Sequence, residues 1–248
     1  PRIEITFEQK AVSLLSRSER GVAVLIVRDD TNKTFTHKQY SDLSAAQADE
    51  SLYTADNYNA ICDLLGFAPY QMHLFRLDTT GSLADTLTEI SKTVKTGWLT
   101  IAGQSAADGL ALSAWVKTQD NTKHKTYKAV CHNLTTAPDD MHVVNFVNES
   151  VTYTDDRGKK DGVTYLPSLL GIFAVCNVTR GCTNYLCSNL SEVQEVADND
   201  AALGSGKFIL VNDEDGNVRV AQGINSMTTT DGKTKTEDMQ FIETVEAM

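Results

Sequence analysis

The chain has 248 residues, 41% of them hydrophobic and 22% charged, the balance of a globular protein long enough to bury a sizeable core. A formal net charge of −11 repels phosphate backbones and so excludes nucleic acid as the partner of this surface as a whole. The longest apolar run, 169–176, is too short to span a bilayer, so no membrane partner is expected. The opening Pro1-Arg-Ile-Glu-Ile5 reads into a strand rather than a signal peptide, which predicts synthesis in the cytoplasm.

At the start, Ile3, Ile5 and Phe7 alternate with Glu4 and Thr6, the period of a strand. Residues 21–27 are a continuous run rich in valine, the pattern of a strand buried on both faces, and 34–40 is a weaker strand candidate. The period then changes. Thr54 can cap a helix with Tyr58, Ile61, Cys62 and Leu65 on one face and Gly66 at its stop. A strand is predicted at 72–77. Ser82 then opens a helix through Leu83, Leu87, Ile90 and Val94, followed by a strand at 98–101. Ser105 opens a third helix with Leu110, Ala114 and Lys117 along one line, and strands follow at 126–131 and 142–147. Strand and helix alternate three times with short connections, so the fold class is α/β, a parallel sheet covered on both faces in a three-layer sandwich.

Residues 166–178 form an apolar helix expected at the centre of the core, and 185–196 mixes a strand start with acidic, helix-like spacing. Composition shifts near Asp198. Beyond it, 207–211 and 218–222 flank Asp213-Glu-Asp-Gly-Asn217, a hairpin turn sequence, and 240–245 reads as another strand. The domain reading is therefore a strand segment at 1–20, an α/β core at 21–197, and the start of a β-rich α+β unit at 198–248. With no initiating Met and an alternating apolar segment running to Met248, the sequence reads as a fragment of something longer.

Catalytic and ligand-binding patterns fail on spacing. Gly204-Ser-Gly-Lys207 lacks the earlier glycine of a phosphate loop, has Phe208 where Ser or Thr is needed, and leads into a strand. Around Gly216 a calcium loop would need ligands at Val211 and Gln222. The five histidines, His37, His73, His124, His132 and His142, form no metal-binding pair on a helix. The five cysteines, Cys62, Cys131, Cys176, Cys182 and Cys187, include no C-x-x-C, so reduced buried thiols are expected. Asp139-Asp140 and Asp155-Asp156 sit in polar turns and read as solvated loops. No cofactor, metal or catalytic set is expected. The lysines at 117, 123, 125 and 128 make one basic stretch, a solvated connection or else a partner-facing patch; Lys123 and Lys125 are the interface candidates in it.

The stretch from Gly204 to Thr229 carries a glycine-ended lead-in, a short hairpin, Val218-Arg-Val220 and then Ile224-Asn-Ser-Met-Thr-Thr229. In this it resembles contractile tail sheath proteins, of the type found in phages of Gram-positive bacteria and in R-type bacteriocins. Ile3-Glu-Ile-Thr-Phe7, Arg17-Ser-Glu-Arg-Gly-Val-Ala-Val24, the helix at 166–175, Cys182-Thr-Asn-Tyr185 and Leu190-Ser-Glu-Val193 are similar in order and spacing. The resemblance implies a subtilisin-like sandwich without a protease triad. It implies a structural, non-enzymatic subunit of a helical sleeve, in a virion or bacteriocin particle, that contracts to drive an inner tube through a bacterial envelope. The implied partners are further copies of itself, the inner tail tube protein, and baseplate and tail terminator proteins. The family's C-terminal helices and arm would follow Met248. Ile3, Ile5 and Phe7 at one end and Phe241 and Val245 at the other flank the strand-adding arms that would link neighbours. Two other classes stay open on residues alone: an α/β hydrolase-type enzyme with a site assembled from distant loops, and a soluble binding module.

Overall fold

The computed structural model describes residues 21–176 and 180–229; the strand candidates at 3–7 and 240–245 lie outside the described residues. Val22-Ala-Val-Leu-Ile-Val-Arg28 forms β1 (Val22–Arg28), whose first six residues are buried. Its successive side chains enter two different apolar clusters, so both faces of the strand are covered. Each fully buried Leu or Ile there contributes about 1.5–3 kcal/mol. A short strand β2 (His37–Tyr40) and helix α1 (Leu43–Gln47) follow. Helix α2 (Ala55–Leu65) starts at Thr54, whose hydroxyl accepts from the Asn57 N–H. Next come β3 (Gln71–Leu77), α3 (Leu83–Thr93) capped by Ser82, β4 (Gly97–Ile101), α4 (Ala106–Lys123) capped by Ser105, and β5 (Tyr127–His132).

The remaining elements are short except one. They are β6 (Val143–Phe146), β7 (Ser150–Tyr153), β8 (Lys159–Asp161), α5 (Leu166–Ala174), β9 (Leu190–Val193), α6 (Asn199–Gly204), β10 (Lys207–Phe208), β11 (Leu210–Asn212) and β12 (Val218–Val220). Helix α5 has all nine residues buried, as an all-round apolar pattern requires.

Seven strands make the main sheet, in the order β10-β6-β5-β4-β1-β3-β2. All its pairings are parallel except β2 against β3. Helices α2 and α5 pack on the face that carries Ala23, Leu25 and Val27, and α3 and α4 on the face that carries Val24 and Ile26. The chain is thus mixed α/β with a predominantly parallel sheet between two helical layers. The four strands expected at 22–27, 72–77, 98–101 and 126–131 are present and mutually parallel where they pair. A three-stranded sheet, β8-β7-β9, and the hairpin β11-β12 flank it. Aromatic rings tie the sheet to α5: Trp98 to Phe173 at 5.0 Å, Phe173 to Phe208 at 5.3 Å and Phe208 to Phe146 at 6.4 Å.

Several local expectations need correction. On α4, Leu110, Ala114 and Lys117 face outward, and the buried line is Gly109, Leu112, Ser113, Val116 and Gln119. Small and polar residues at close approaches hid that stripe. On α2 the buried face is turned by part of a residue step to Ala60, Ile61, Leu64 and Leu65. The acidic helix-like spacing at 185–196 forms strand β9 instead, pairing with β7. The strand expected at 207–211 breaks at Ile209: Lys207 and Phe208 join β6 in the main sheet, while Leu210 to Asn212 pair with β12. The main sheet therefore contains residues from both sides of Asp198.

Candidate functional site

In an open parallel sheet the place for a ligand is the crevice outside the carboxyl ends of the strands, where the connections diverge to opposite sides. Here that point lies between β1 and β4. Its groups are already engaged with one another. Arg28 donates to Asp108 Oδ1 at 2.8 Å and to the Gly81 carbonyl at 3.1 Å. Asp29 accepts from the backbone of Thr31 and Thr54 and from Asn57 Nδ2, each at 2.8 Å. Burial pushes the Asp29 carboxyl up, and the hydrogen bonds from Asn57, Thr54 and Thr31 outweigh it and hold the group below the usual carboxylate range. Arg76 donates to Phe35 O at 2.8 Å, to Asp29 O at 2.7 Å and to Asp78 Oδ1 at 2.7 Å. The crevice is a brace between loops, with every strong donor and acceptor named here committed.

A second charged cluster lies beside α2, at an open groove of about 480 Å³. Arg157 grips Asp63 through two bonds of 2.7 and 3.0 Å and bonds Asp155 at 2.7 Å, while its guanidinium stacks 3.8 Å from the Tyr153 ring centre. Burial raises the Asp63 carboxyl against the pull of Arg157. This cluster fastens the β7–β8 hairpin to α2, so its chemistry is structural.

The other sequence candidates resolve in the same way. Gly204-Ser-Gly-Lys207 runs from α6 into β10. Gly206 has φ +71°, and a Cβ there would lie 2.7 Å from the Ser226 carbonyl, so the glycine admits the turn that follows β12. Asp213 accepts from the N–H groups of Asp215 and Asn217 and from Arg219 Nε, closing the β11–β12 turn. His132 Nε2 donates to the Asn148 carbonyl at 3.0 Å, and His37 and His73 stack on the β2–β3 edge. No disulfide joins any two of the five cysteines. Among the described residues no cluster of three or more His, Cys, Asp or Glu could hold a metal ion, and no helix is long and apolar enough to cross a membrane.

Of the interface candidates, Ile3, Ile5, Phe7, Phe241 and Val245 lie outside the described residues. Lys123 is exposed on the last turn of α4. Lys125 is half-buried and donates to the Ser91 carbonyl at 2.7 Å, tying the loop to α3. Lys128 sits 5.3 Å from the centre of the Trp98 ring.

Residue types in the turn after β12 explain what sequence spacing could not. Ile224, Asn225 and Ser226 are buried. The Ser226 N–H donates to Val143 O at 2.8 Å, and its hydroxyl donates to Asp140 O at 2.9 Å. Asp139 then accepts from the N–H groups of Thr228 and Thr229 at 2.7 and 2.9 Å through a single carboxylate oxygen. Those two backbone donors hold the Asp139 carboxyl down at about 2. Asn225 Nδ2 is buried with no partner among the described residues. Asp139 and Asp140, read from sequence as a solvated turn, are thus the seat of the Ile224–Thr229 motif. Nothing local announces it, because the partners are 86 to 90 residues away.

No family model matches the chain. The tail sheath protein of Clostridium phage phiCD119 is 25% identical over 242 residues, covering 92% of this chain and 63% of that protein. The chain therefore spans less than two thirds of that relative's length. Among solved structures, a sheath tail protein from Desulfitobacterium hafniense overlays all of this chain and 80% of its own with a TM-score of 0.79 at 15% identity. A sheath tail protein from Listeria innocua covers 88% of this chain and 72% of its own with a TM-score of 0.72 at 13% identity. The helical sheath of the anti-feeding prophage in its contracted state covers all of this chain and 74% of its own, with a TM-score of 0.69 at 12% identity. The chain is similar to tail sheath proteins in sequence and shares their fold.

Proposed function

We propose that this chain, similar to tail sheath proteins in sequence and in fold, is a structural subunit of a contractile tail sheath, without enzymatic activity. It would form a helical sleeve around an inner tail tube and shorten to drive that tube through a bacterial envelope. The observation that carries this reading is the joint match to sheath proteins, sequence over 92% of the chain and fold over all of it. The parallel-rich sandwich is read as subtilisin-like in arrangement and without a protease triad. The committed state of the groups at the carboxyl edge of the sheet supports a brace rather than a catalytic crevice there.

The physical logic is that of a filament. A contact between unlike patches that does not close into a ring repeats without end and builds a helix. Strand-adding arms keep neighbours joined while the folded bodies turn against one another. The work of contraction then comes from the difference in contact energy between two packings of the same body. The proposed partners are further copies of the chain, the inner tube protein, and baseplate and terminator proteins, in a phage or bacteriocin-like particle made in the bacterial cytoplasm. Negative-stain microscopy of the whole protein tests the reading: sleeves or hollow tubes of regular helical pitch are expected. A dispersed monomer under every salt and concentration condition would overturn it.

A further inference from the structure

Strand β2 is the last strand of the main sheet among the described residues, and it is four residues long. It runs antiparallel to β3, with His37 opposite Phe75 and Gln39 opposite His73. His73 is in register with Val24 of β1, so His37, His73 and Phe75 lie on the face that carries Val24 and Ile26, beneath α3. There His37 Nε2 and His73 Nδ1 meet at 3.0 Å, with their ring planes within 11° of parallel, and the Phe75 ring centre lies 4.5 Å from that of His37. A gap of 3.0 Å is the length of one N–H···N hydrogen bond and holds a single hydrogen, so one ring donates and the other accepts. His73 is 8% exposed and Phe75 1%, so water has little access to replace that bond.

The proton count decides whether the bond survives. A first added proton goes to the far nitrogen of the donating ring, and the hydrogen between the rings stays in place. A second must go onto the accepting nitrogen, which leaves two N–H groups and two positive charges facing each other across 3.0 Å. The charged groups around the pair are engaged elsewhere or stand off. From α3, Asp85 and Glu89 line the groove beside Phe75, and Glu89 is paired with Lys92 at 3.1 Å. From β1, Arg28 is bound to Asp108; on the opposite face Lys38 is bound to Asp49, and Arg76 to Asp78. None of these charges moves either ring. Burial lowers the proton affinity of His37, and burial followed by the His37 charge lowers that of His73. Rings lowered in this way stabilise the folded state fully above the ordinary histidine value of 6.5, and that contribution is lost as pH falls through their lower folded values.

We propose that His37 and His73 form a pH-sensitive latch that holds β2 against β3, closed at neutral pH and open once both rings are charged. Opening frees the edge of β3, a row of backbone groups able to pair with another strand. The latch rests on the geometry of this pair and not on the sheath reading.

The test follows backbone hydrogen exchange in β2 and β3 of the whole protein at pH 7.5 and pH 5.0, with rates corrected for the pH dependence of exchange itself. The parent is compared with the double variant His37→Gln, His73→Gln. The control is His124→Gln, at the exposed C-terminal end of α4. The parent should lose about tenfold in protection on β2 at pH 5.0, since each unit of pKa difference is a factor of ten, while β1 stays protected. The double variant should show equal protection at both pH values, and His124→Gln should follow the parent. If the double variant does not fold, nitrogen-15 NMR of the imidazoles in the parent decides the matter. The expected titration of the pair has two coupled steps, the second below the ordinary value of 6.5. Two independent steps near 6.5 overturn the proposal. So does β2 protection in the parent that is the same at both pH values, and so does a loss at pH 5.0 that persists in the double variant.

Discussion

Residues 22–132 and residues 133–229 share one apolar core but differ in what is added to it. In the first stretch, long parallel strands alternate with helices, and stability comes from apolar side chains stacked on both faces of a sheet. In the second, strands of two to four residues pack around the apolar α5 and are stitched in addition by single polar side chains. Asn148 is the clearest stitch. Its amide donates to Gln194 O at 2.9 Å and to Leu210 O at 3.0 Å, and accepts from Leu210 N at 2.8 Å, so one side chain substitutes for a strand between β9 and β11. Asn212 does the same for Val193, and Asp139 for Thr228 and Thr229. Gly162 packs against the Asn148 carbonyl with no space for a side chain. Periodic burial makes a body that tolerates exchange of one apolar residue for another. Point stitching makes one in which single residues cannot be replaced.

The contrast is sharpest in two substitutions. Leu25→Ala removes a fully buried side chain from the centre of the sheet and should cost about 3–4 kcal/mol, measured by chemical denaturation. Its protection loss in hydrogen exchange should spread over the whole sheet. Asn148→Ala should cost about 3 kcal/mol, because it leaves buried backbone groups unpaired. Its protection loss should be confined to residues 190–212. If Asn148→Ala instead loosens the main sheet as a whole, the two regions are not distinct.

A smaller effect, with a pH signature, is expected at the Arg157 clamp. The Arg157 and Asp63 side chains are 20% and 12% exposed, so removing the arginine leaves a mostly buried carboxylate and should cost about 2 kcal/mol at pH 7. Burial alone then raises the Asp63 carboxyl further. A carboxyl raised in the folded state is least harmful when protonated, so the loss in Arg157→Ala should shrink as pH falls to 4 and grow as pH rises through the raised value. Denaturation of parent and variant at pH 4 and pH 7 checks this; an equal loss at both would mean Asp63 is already solvated.

The smallest effects belong to the basic stretch. Lys125→Glu loses the bond to Ser91 O and should cost about 1 kcal/mol, whereas Lys123→Glu, fully on the surface, should stay within about 0.5 kcal/mol. If assembly of the double variant at varied salt matches the parent, Lys123 is a solvated end of α4. A charge-dependent loss of assembly would make it a contact with another copy.

The same division governs what was legible in the sequence. The caps at Thr54, Ser82 and Ser105 and the four central strands announce themselves through local patterns, and the structure places them as expected. The β11–β12 hairpin was legible too, because Asp213-Glu-Asp-Gly carries its own turn chemistry. What stayed hidden is long-range or made by small residues. The buried line of α4 runs through Gly109 and Ser113, which no apolar count finds. The stitches at Asn148 and Asp139 join residues 46 to 90 positions apart, and a lone Asn or Asp says nothing of its partner. The Ile224–Thr229 motif was visible as a resemblance, and its physical reason, a turn seated on Asp139 and Asp140, emerges only in three dimensions.

The central claim, that this body is a sheath subunit, is tested most directly by cryo-electron microscopy of the whole protein polymerised into sleeves. Residues 21–176 and 180–229 are expected to fit the density of every subunit as found here, with the seven-stranded sheet intact and the copies packed side by side around a hollow centre. Sleeves whose subunits lack this sheet would contradict it, as would a protein that forms no sleeve at all.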